Sequence, residues 1–174
     1  MVDPGNFRSA LSRFAAGVTV ITTRTEAGEW AGFTATAFSS VSLEPPLVLV
    51  CVSAGGRSDQ ALGRSDGFGV NVLRNDMAAV AERFATRCAD RFAGVEVREG
   101  PLGVPLLEGS IATLTCQRHA RHDAGDHGIF LGRVVEVAWN DGPPLLHFRG
   151  AFGELAEERV PVRALHDWMV GAAW

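Results

Sequence analysis

Gly32-Phe33-Thr34-Ala35-Thr36-Ala37-Phe38-Ser39-Ser40-Val41-Ser42-Leu43-Glu44-Pro45-Pro46 is the stretch on which the reading of this chain turns. It places five hydroxyl side chains in the nine residues from Thr34 to Ser42, then stops at a Pro-Pro pair. Phe33, Ala35, Ala37, Ser39 and Val41 alternate with Thr34, Thr36, Phe38, Ser40 and Ser42, the period of a β-strand. Hydroxyls among small residues let a backbone approach an anion closely and donate to it from both N–H and O–H groups. Such a ledge, if it lies inside a groove, suits a planar phosphorylated ligand. A Ser/Thr-rich edge strand facing water has the same composition and needs no ligand.

Working outward, the run Leu47 to Val52 is continuous and apolar, as expected for a strand buried on both faces. Upstream, Asp3-Pro4 reads as a helix start, with Phe7, Leu11, Phe14 and Ala15 at helical spacing up to Gly17. Val18 to Thr22 is a β-branched strand, and Thr25 to Glu29 a hairpin turn into the hydroxyl-rich strand. Downstream, Ser53-Ala54-Gly55-Gly56-Arg57-Ser58 is a small-residue loop before a short helix at 59–62. Phe68 to Leu73 is a further strand, and Asp76 is placed to cap a helix carrying Ala79, Val80, Arg83 and Phe84. Residues 94–107, with Pro101 and Pro105, read as irregular. Ser110 to Arg118 and Gly128 to Trp139 are longer β segments, Leu145 to Phe148 is a last short strand, and Val162 to Val170 is helix-like.

Helices that are appended to strands, and do not alternate with them, predict a β-barrel with α additions (α+β) over one domain of 174 residues, not a doubly wound sheet. The chain has neither a G-x-G-x-x-G nor a G-x-x-x-x-G-K-[ST] motif, so a nucleotide would not be held in the Rossmann or P-loop manner. A formal net charge of −4 argues against a phosphate-tracking nucleic-acid surface. All sixteen basic residues are arginine and tyrosine is absent, so no phenol can act as acid or stacking ring. The arginine bias fits either fork-shaped anion contacts or codon usage. Cys51, Cys88 and Cys116 are scattered without C-x-x-C spacing, which with the absence of a signal peptide or apolar span predicts reduced thiols in a soluble cytoplasmic protein free of membrane.

Arg57 can meet a phosphate as a fork while the neighbouring glycines expose N–H groups; the same residues make an ordinary loop with a solvated arginine. Residues His119 to His127 hold three imidazoles and two carboxylates. In a strand His119 and His122 point to opposite faces and no second ligand set exists elsewhere, so a metal is not expected. His127 stands after the Gly125-Asp126 turn at the mouth of a strand. There it can orient a nicotinamide amide or exchange a proton near neutral pH, or it can simply pair with Asp126 to fix the turn. With the hydroxyl ledge, it points to flavin chemistry. Phe84 and Phe92 fit a core better than a stacking platform, Arg91 can pair with Asp90, and Phe148-Arg149-Gly150 follows the last strand, where a ring could cover a flat ligand.

In order, Phe7-Arg8-x-Ala10-Leu11-x-x-Phe14-Ala15-x-Gly17-Val18-x-Val20, Gly32 to Leu47, Phe68-x-Val70-Asn71-Val72-Leu73, Arg83-Phe84-Ala85, Asp90-Arg91-Phe92, Gly125-Asp126-His127-x-Ile129-x-Leu131-Gly132-x-Val134 and Pro144 to Gly150 resemble the short-chain flavin reductase family. These are the FMN-binding split-barrel reductases of two-component monooxygenases, and the likeness runs from about Phe7 to Leu155. The resemblance implies a homodimer of Greek-key-like antiparallel split barrels that reduces FMN or FAD with NADH or NADPH for a partner flavin-dependent monooxygenase. It implies that Thr34, Ala35, Thr36 and Ala37 hold the ribityl chain and ring edge. Ser39, Ser40, Val41 and Ser42, with Arg57 and Ser58, would follow the ribityl phosphate, while Cys51, Val52 and Ser53 offer backbone groups. His127 would place the nicotinamide, Phe148 would lie near the ring, and Phe84, Arg91 and Arg149 would complete the flavin set. Thr36, His147 and Phe152 depart from the family's usual residues there, which leaves FMN against FAD open. A protein of this fold that keeps FMN as an oxidase, or uses the barrel only as a binding module, is the alternative.

Overall fold

The computed structural model describes residues 2–87 and 90–156. Asp3 caps helix α1 (Pro4–Leu11) as expected, its carboxylate accepting from the Asn6 amide at 2.9 Å. The helix ends six residues before Gly17, because Ala16–Gly17 forms a short strand, β1, on which the late strand β11 (Leu146–Phe148) pairs. No α1 residue is buried, and Phe14 beyond it is 80% exposed. Strands β2 (Thr19–Arg24) and β3 (Trp30–Ala35) form the hairpin read from Thr25 to Glu29, with Gly28 at φ +81°.

The hydroxyl-rich stretch is not one strand. It divides into β3 and β4 (Phe38–Ser42), and β5 (Leu47–Ser53) follows the Pro-Pro turn. After α2 (Arg57–Arg64) come β6 (Gly67–Val72), α3 (Ala78–Ala85), β7 (Val97–Glu99) and β8 (Pro105–Leu107); β9 (Ala112–Ala124) and β10 (His127–Trp139) are followed by β11 and β12 (Ala151–Gly153). Residues 94–107 therefore contain a small ladder, β7 on β8, in place of irregular chain. Asp76 does not cap α3; its carboxylate takes a fork of two 2.7 Å hydrogen bonds from Arg74. The expected helix at 162–170, and Cys88, lie outside the described residues.

Seven antiparallel strands pair in the order β3-β2-β6-β9-β10-β5-β4. Consecutive strands β3 and β4 thus occupy opposite edges, joined only by Thr36 and Ala37. Laid flat, those edges would stand roughly 29 Å apart. Three Cα steps from Ala35 to Phe38 reach at most about 11 Å. The sheet must curl until its edges meet, and since β3 and β4 share no ladder the result is a split barrel with a seam. The separation of helices from strands and the barrel expected from sequence are both found.

Inside the barrel Ile21, Val48, Val50, Phe68, Val70 and Phe130 pack with Leu62 of α2. Outside it Val18, Val20, Leu73, Ala81, Phe84 and Leu145 form a second cluster under α3. The strands buried on both faces are consequently β2 and β6, which stand between the two clusters. Strand β5 instead alternates, Val48, Val50 and Val52 inward and Leu47, Leu49 and Cys51 half-buried, because α3 covers another part of the sheet. Asn71, fully buried, ties three strands together. Its amide donates to the Val20 carbonyl at 2.9 Å and Thr22 Oγ1 at 3.2 Å, and its Oδ1 accepts from the Leu107 amide at 2.7 Å. Asn71→Ala should cost about 2–4 kcal/mol, since it orphans a buried amide. The loss is read as a lower urea midpoint; an unchanged midpoint would show that water replaces the side chain.

Candidate functional site

The seam opens into a cavity of about 310 Å³ at one end of the barrel. Its floor is the end of β3 and the link, Phe33 to Ala37, and its opposite wall is the end of β5, Cys51 to Ser53. Gly56, Arg57 and Ser58 at the start of α2 close a third side, and His127 stands at the mouth. Four separated segments meet here because the two-residue link brings the sheet edges together. The structure therefore gathers Thr34, Ala35, Thr36, Ala37, Cys51, Val52, Ser53, Arg57, Ser58 and His127 of the residues singled out in sequence.

It does not gather the others. Ser39, Ser40 and Val41 are exposed on edge strand β4, Ser42 is half-buried at its end, and all four lie outside the cavity. The Ser39 hydroxyl turns back to the Ser40 carbonyl at 3.1 Å. Phe84 is 1% exposed and packs edge-on against Phe92 with ring centroids 5.0 Å apart, so it is core and presents no face to a ligand. It reaches that place because residue 32 is glycine: a Cβ there would stand 2.8 Å from the Phe84 ring. Arg91 does not pair with Asp90. Its guanidinium donates to the carbonyls of Gly32 at 2.7 Å and Thr86 at 2.8 and 3.1 Å, which holds the chain beneath the cavity floor. Phe148 and Arg149 sit at the β11–β12 turn, away from the cavity, where the Arg149 amide donates to Ser12.

Within the cavity the hydroxyls are not equivalent. The Thr34 Oγ1 donates to the Ala81 carbonyl at 2.6 Å, so its proton is committed to α3. Thr36 is exposed on the link, and Ser58 and Arg57 face the space from the opposite side. Arg57 has no ion-pair partner among the described residues. Gly55, at φ +74°, and Gly56 bring backbone to that edge without side chains. Donors converging from two sides of a half-apolar slot match a flat ring bearing a phosphorylated tail.

His127 is the first residue of β10, paired directly across from Ser53 of β5. Its Nδ1 lies 2.7 Å from Asp126 Oδ1 and its Nε2 3.4 Å from Ser53 Oγ. The hydrogen bond from His127 holds the Asp126 carboxyl below the usual carboxylate range. Asp126 thus remains an acceptor across neutral pH, and Nδ1–H is the donor that satisfies it. Nε2 is left to face the cavity mouth. His127 thus fixes the turn through Nδ1, with its other nitrogen beside Ser53 at the cavity mouth.

An ion pair that the sequence did not reveal supports this edge. Asp59 Oδ2 accepts from the Gly55 amide at 2.9 Å and Oδ1 from Arg121 Nε at 3.0 Å, across 62 residues of chain. Arg121 also meets Asp123 at 2.5 Å and lies over the Phe130 ring, 5.5 Å from its centroid. Gly128 leaves room for this crossing, since a Cβ there would come within 3.1 Å of the guanidinium. Burial acts to raise the Asp59 carboxyl, but the Gly55 amide and Arg121 outweigh it and hold it below the ordinary 3.8. Burial alone pushes the Cys116 thiol up to about 12, leaving it a core group. Among the described residues no three metal-ligating side chains come together, and no helix is long and apolar enough to cross a membrane.

A family model described as flavin reductase-like domain matches residues 11–156. The reductase subunit HsaB of a flavin-dependent monooxygenase from Rhodococcus jostii is 43% identical over 160 residues, 91% of this chain and 82% of that protein. An NADH-dependent flavin reductase from a Rhodococcus species is 42% identical over 158 residues, 88% of each. Among solved structures, nitrilotriacetate monooxygenase component B from Mycobacterium thermoresistibile superimposes with a TM-score of 0.89 at 38% identity. It covers 94% of this chain and 93% of that one.

Asp59→Asn should lower stability by about 1–2 kcal/mol at pH 7 and loosen the 53–58 loop. Because the folded carboxyl titrates below its unfolded value, its contribution is present above about pH 4 and lost as pH falls through the lowered value. Urea midpoints of parent and variant should therefore converge in acid; a gap that stays constant would show that the carboxylate's charge plays no part.

Proposed function

The chain belongs to the flavin reductase-like family, and on that premise we propose that it is an NADH-dependent flavin reductase whose reduced product leaves for a partner monooxygenase. One observation carries the reading: a cavity at the barrel seam collects, from four segments, the donors a phosphorylated flat ring requires, and opens beside His127. The flavin and nicotinamide supply the hydride chemistry themselves. The chain's part is to bind the two rings in contact and to hold them in register.

Thr36 and the backbone of the link, with Cys51 to Ser53 opposite, hold the ring edge and ribityl hydroxyls. Arg57 and Ser58 take the phosphate as charge-assisted donors. His127 Nε2, with Nδ1 committed to Asp126, accepts from the amide N–H of a nicotinamide at the cavity mouth. No titratable group is needed at the ring itself. A cavity open to solvent lets the flavin exchange, as a diffusible product demands.

The functional unit in this proposal is a homodimer. Leu11 at the end of α1 and Phe14 just beyond it are 57% and 80% exposed, and Val137 and Trp139 at the end of β10 are 60% and 74% exposed. Apolar surface of this extent is covered in solution by a second copy. Light scattering should give twice the 18.5 kDa of one chain; a monomer would contradict it.

The direct test is oxidation of NADH and NADPH at 340 nm with no flavin, FMN or FAD added. Turnover that requires added flavin and saturates with it is expected, with NADH preferred. Protein that retains flavin through gel filtration and turns over without any addition would instead be an oxidase. His127→Ala should raise the KM for NADH by about tenfold, the equivalent of one lost hydrogen bond of about 1.4 kcal/mol. Flavin affinity should stay within about twofold; an equal loss of both would remove His127 from its assigned role.

A further inference from the structure

Ser53, His127 and Asp126 form a chain of contacts at the cavity mouth that the placing of a nicotinamide does not require. Ser53 Oγ lies 3.4 Å from His127 Nε2, and His127 Nδ1 lies 2.7 Å from Asp126 Oδ1. With Nδ1–H committed to the carboxylate, Nε2 is the acceptor for the serine hydroxyl, so donation runs from serine to imidazole to carboxylate. We infer that these residues are a nucleophilic triad, and that the cavity hydrolyses small carboxylic esters of flat alcohols as a second activity.

The fold fixes each member. Ser53 ends β5 and is the register partner of His127, which begins β10. The Ala54 amide donates to the Asp126 carbonyl at 2.9 Å, so the turn carrying the acid is tied to the residue after the nucleophile. From Ser53 the three-residue turn Ala54-Gly55-Gly56 leads into α2. The order strand, nucleophile, turn and helix is one that lifts a serine hydroxyl clear of a sheet. Gly56 gives α2 no side-chain cap, which leaves the first amide N–H groups of the helix, at the same cavity, for an oxyanion. A serine–histidine spacing of 3.4 Å belongs to the looser range of nucleophile and base without substrate.

Ser53 Oγ attacks the ester carbonyl carbon while its proton passes to His127 Nε2. The carbon–oxygen bond to the alcohol then breaks, and the alcohol leaves with the proton from Nε2. Water, deprotonated by the same nitrogen, attacks the acyl–serine, releases the carboxylic acid and restores the hydroxyl. No oxidant or reductant enters. The half-apolar slot fits an aryl leaving group. Asp126 touches no reacting atom and is a positioning residue, which holds the tautomer in which Nε2 can accept.

Hydrolysis of p-nitrophenyl acetate by the purified protein without flavin tests the triad. The sequence contains no lysine, so no lysine amine adds a background reaction. A burst of nitrophenolate is expected, with one acetyl group found on Ser53 by peptide mass mapping. Ser53→Ala should lose both, while Ser53→Cys keeps the covalent step. His127→Ala should slow acylation by about a hundredfold. Asp126→Asn should lower kcat at least about tenfold and leave KM within about twofold, the signature of a lost transition-state role and not of lost binding. An acetyl group on Cys51 or on an imidazole, or a burst that survives Ser53→Ala, would overturn the triad. A parent that releases nitrophenolate no faster than an equal concentration of free imidazole would overturn it too. Oxidation of NADH with added flavin, followed on the same preparation, keeps this outcome separate from that of the flavin reductase reading.

Discussion

Two residues, Thr36 and Ala37, connect strands that lie at opposite edges of a seven-stranded sheet, and that constraint shapes everything else. A peptide link of this length cannot cross a flat sheet, so curvature follows from covalent reach alone. Because the edges meet at a corner and not along a ladder, the closure leaves a seam. The Cys51 amide bonds the Ala37 carbonyl at 3.0 Å, which pins the link to β5 and sets the width of the opening. The seam is therefore a cleft with one wall held by the sheet's own hydrogen bonds.

The remaining walls depend on contacts made far along the chain. Arg121 crosses β10 at Gly128 to reach Asp59, and Asp59 in turn fixes Gly55. This places Arg57 and Ser58 against the cleft. On the other side Arg91, with its charge spread over two carbonyls, holds Gly32 and so the floor. Arg91 anchors backbone, Arg121 anchors Asp59, and Arg57 at the cleft has no ion-pair partner among the described residues. The division matches their chemistry: the fork of Arg121 and Arg91 suits fixed geometry, and the free fork of Arg57 suits a phosphate.

Much of this was legible in the chain. The Thr34–Ala37 half of the hydroxyl segment, the Ser53–Ser58 loop and His127 stand together in the structure because each is a local motif whose position follows from strand ends and turns. The break between β3 and β4 was not legible, since the alternation of Phe33, Ala35, Ala37, Ser39 and Val41 runs unbroken through the corner. One signal marked it: Phe38 occupies the polar phase, and it packs against the barrel core. Strand β9 reads too short because His119 to Asp123 carry the composition of a loop, although they pair with β10 as the far arm of a hairpin. The Asp59–Arg121 pair spans 62 residues, and no local pattern announces it. Phe84, which reads as core ahead of platform, is core at 1% exposure, in a place left open by the absence of a Cβ at Gly32.

The central claim is that the seam beside the Thr36-Ala37 link is the flavin site, and a crystal structure of the protein with bound oxidised flavin tests it most directly. The account predicts the ring system between the link and the Cys51–Ser53 end of β5, with the phosphate on Arg57 and Ser58 and His127 at the open edge. A ring lying along Ser39–Ser42 of β4, or against Phe148 at the β11–β12 turn with the seam empty, would contradict it.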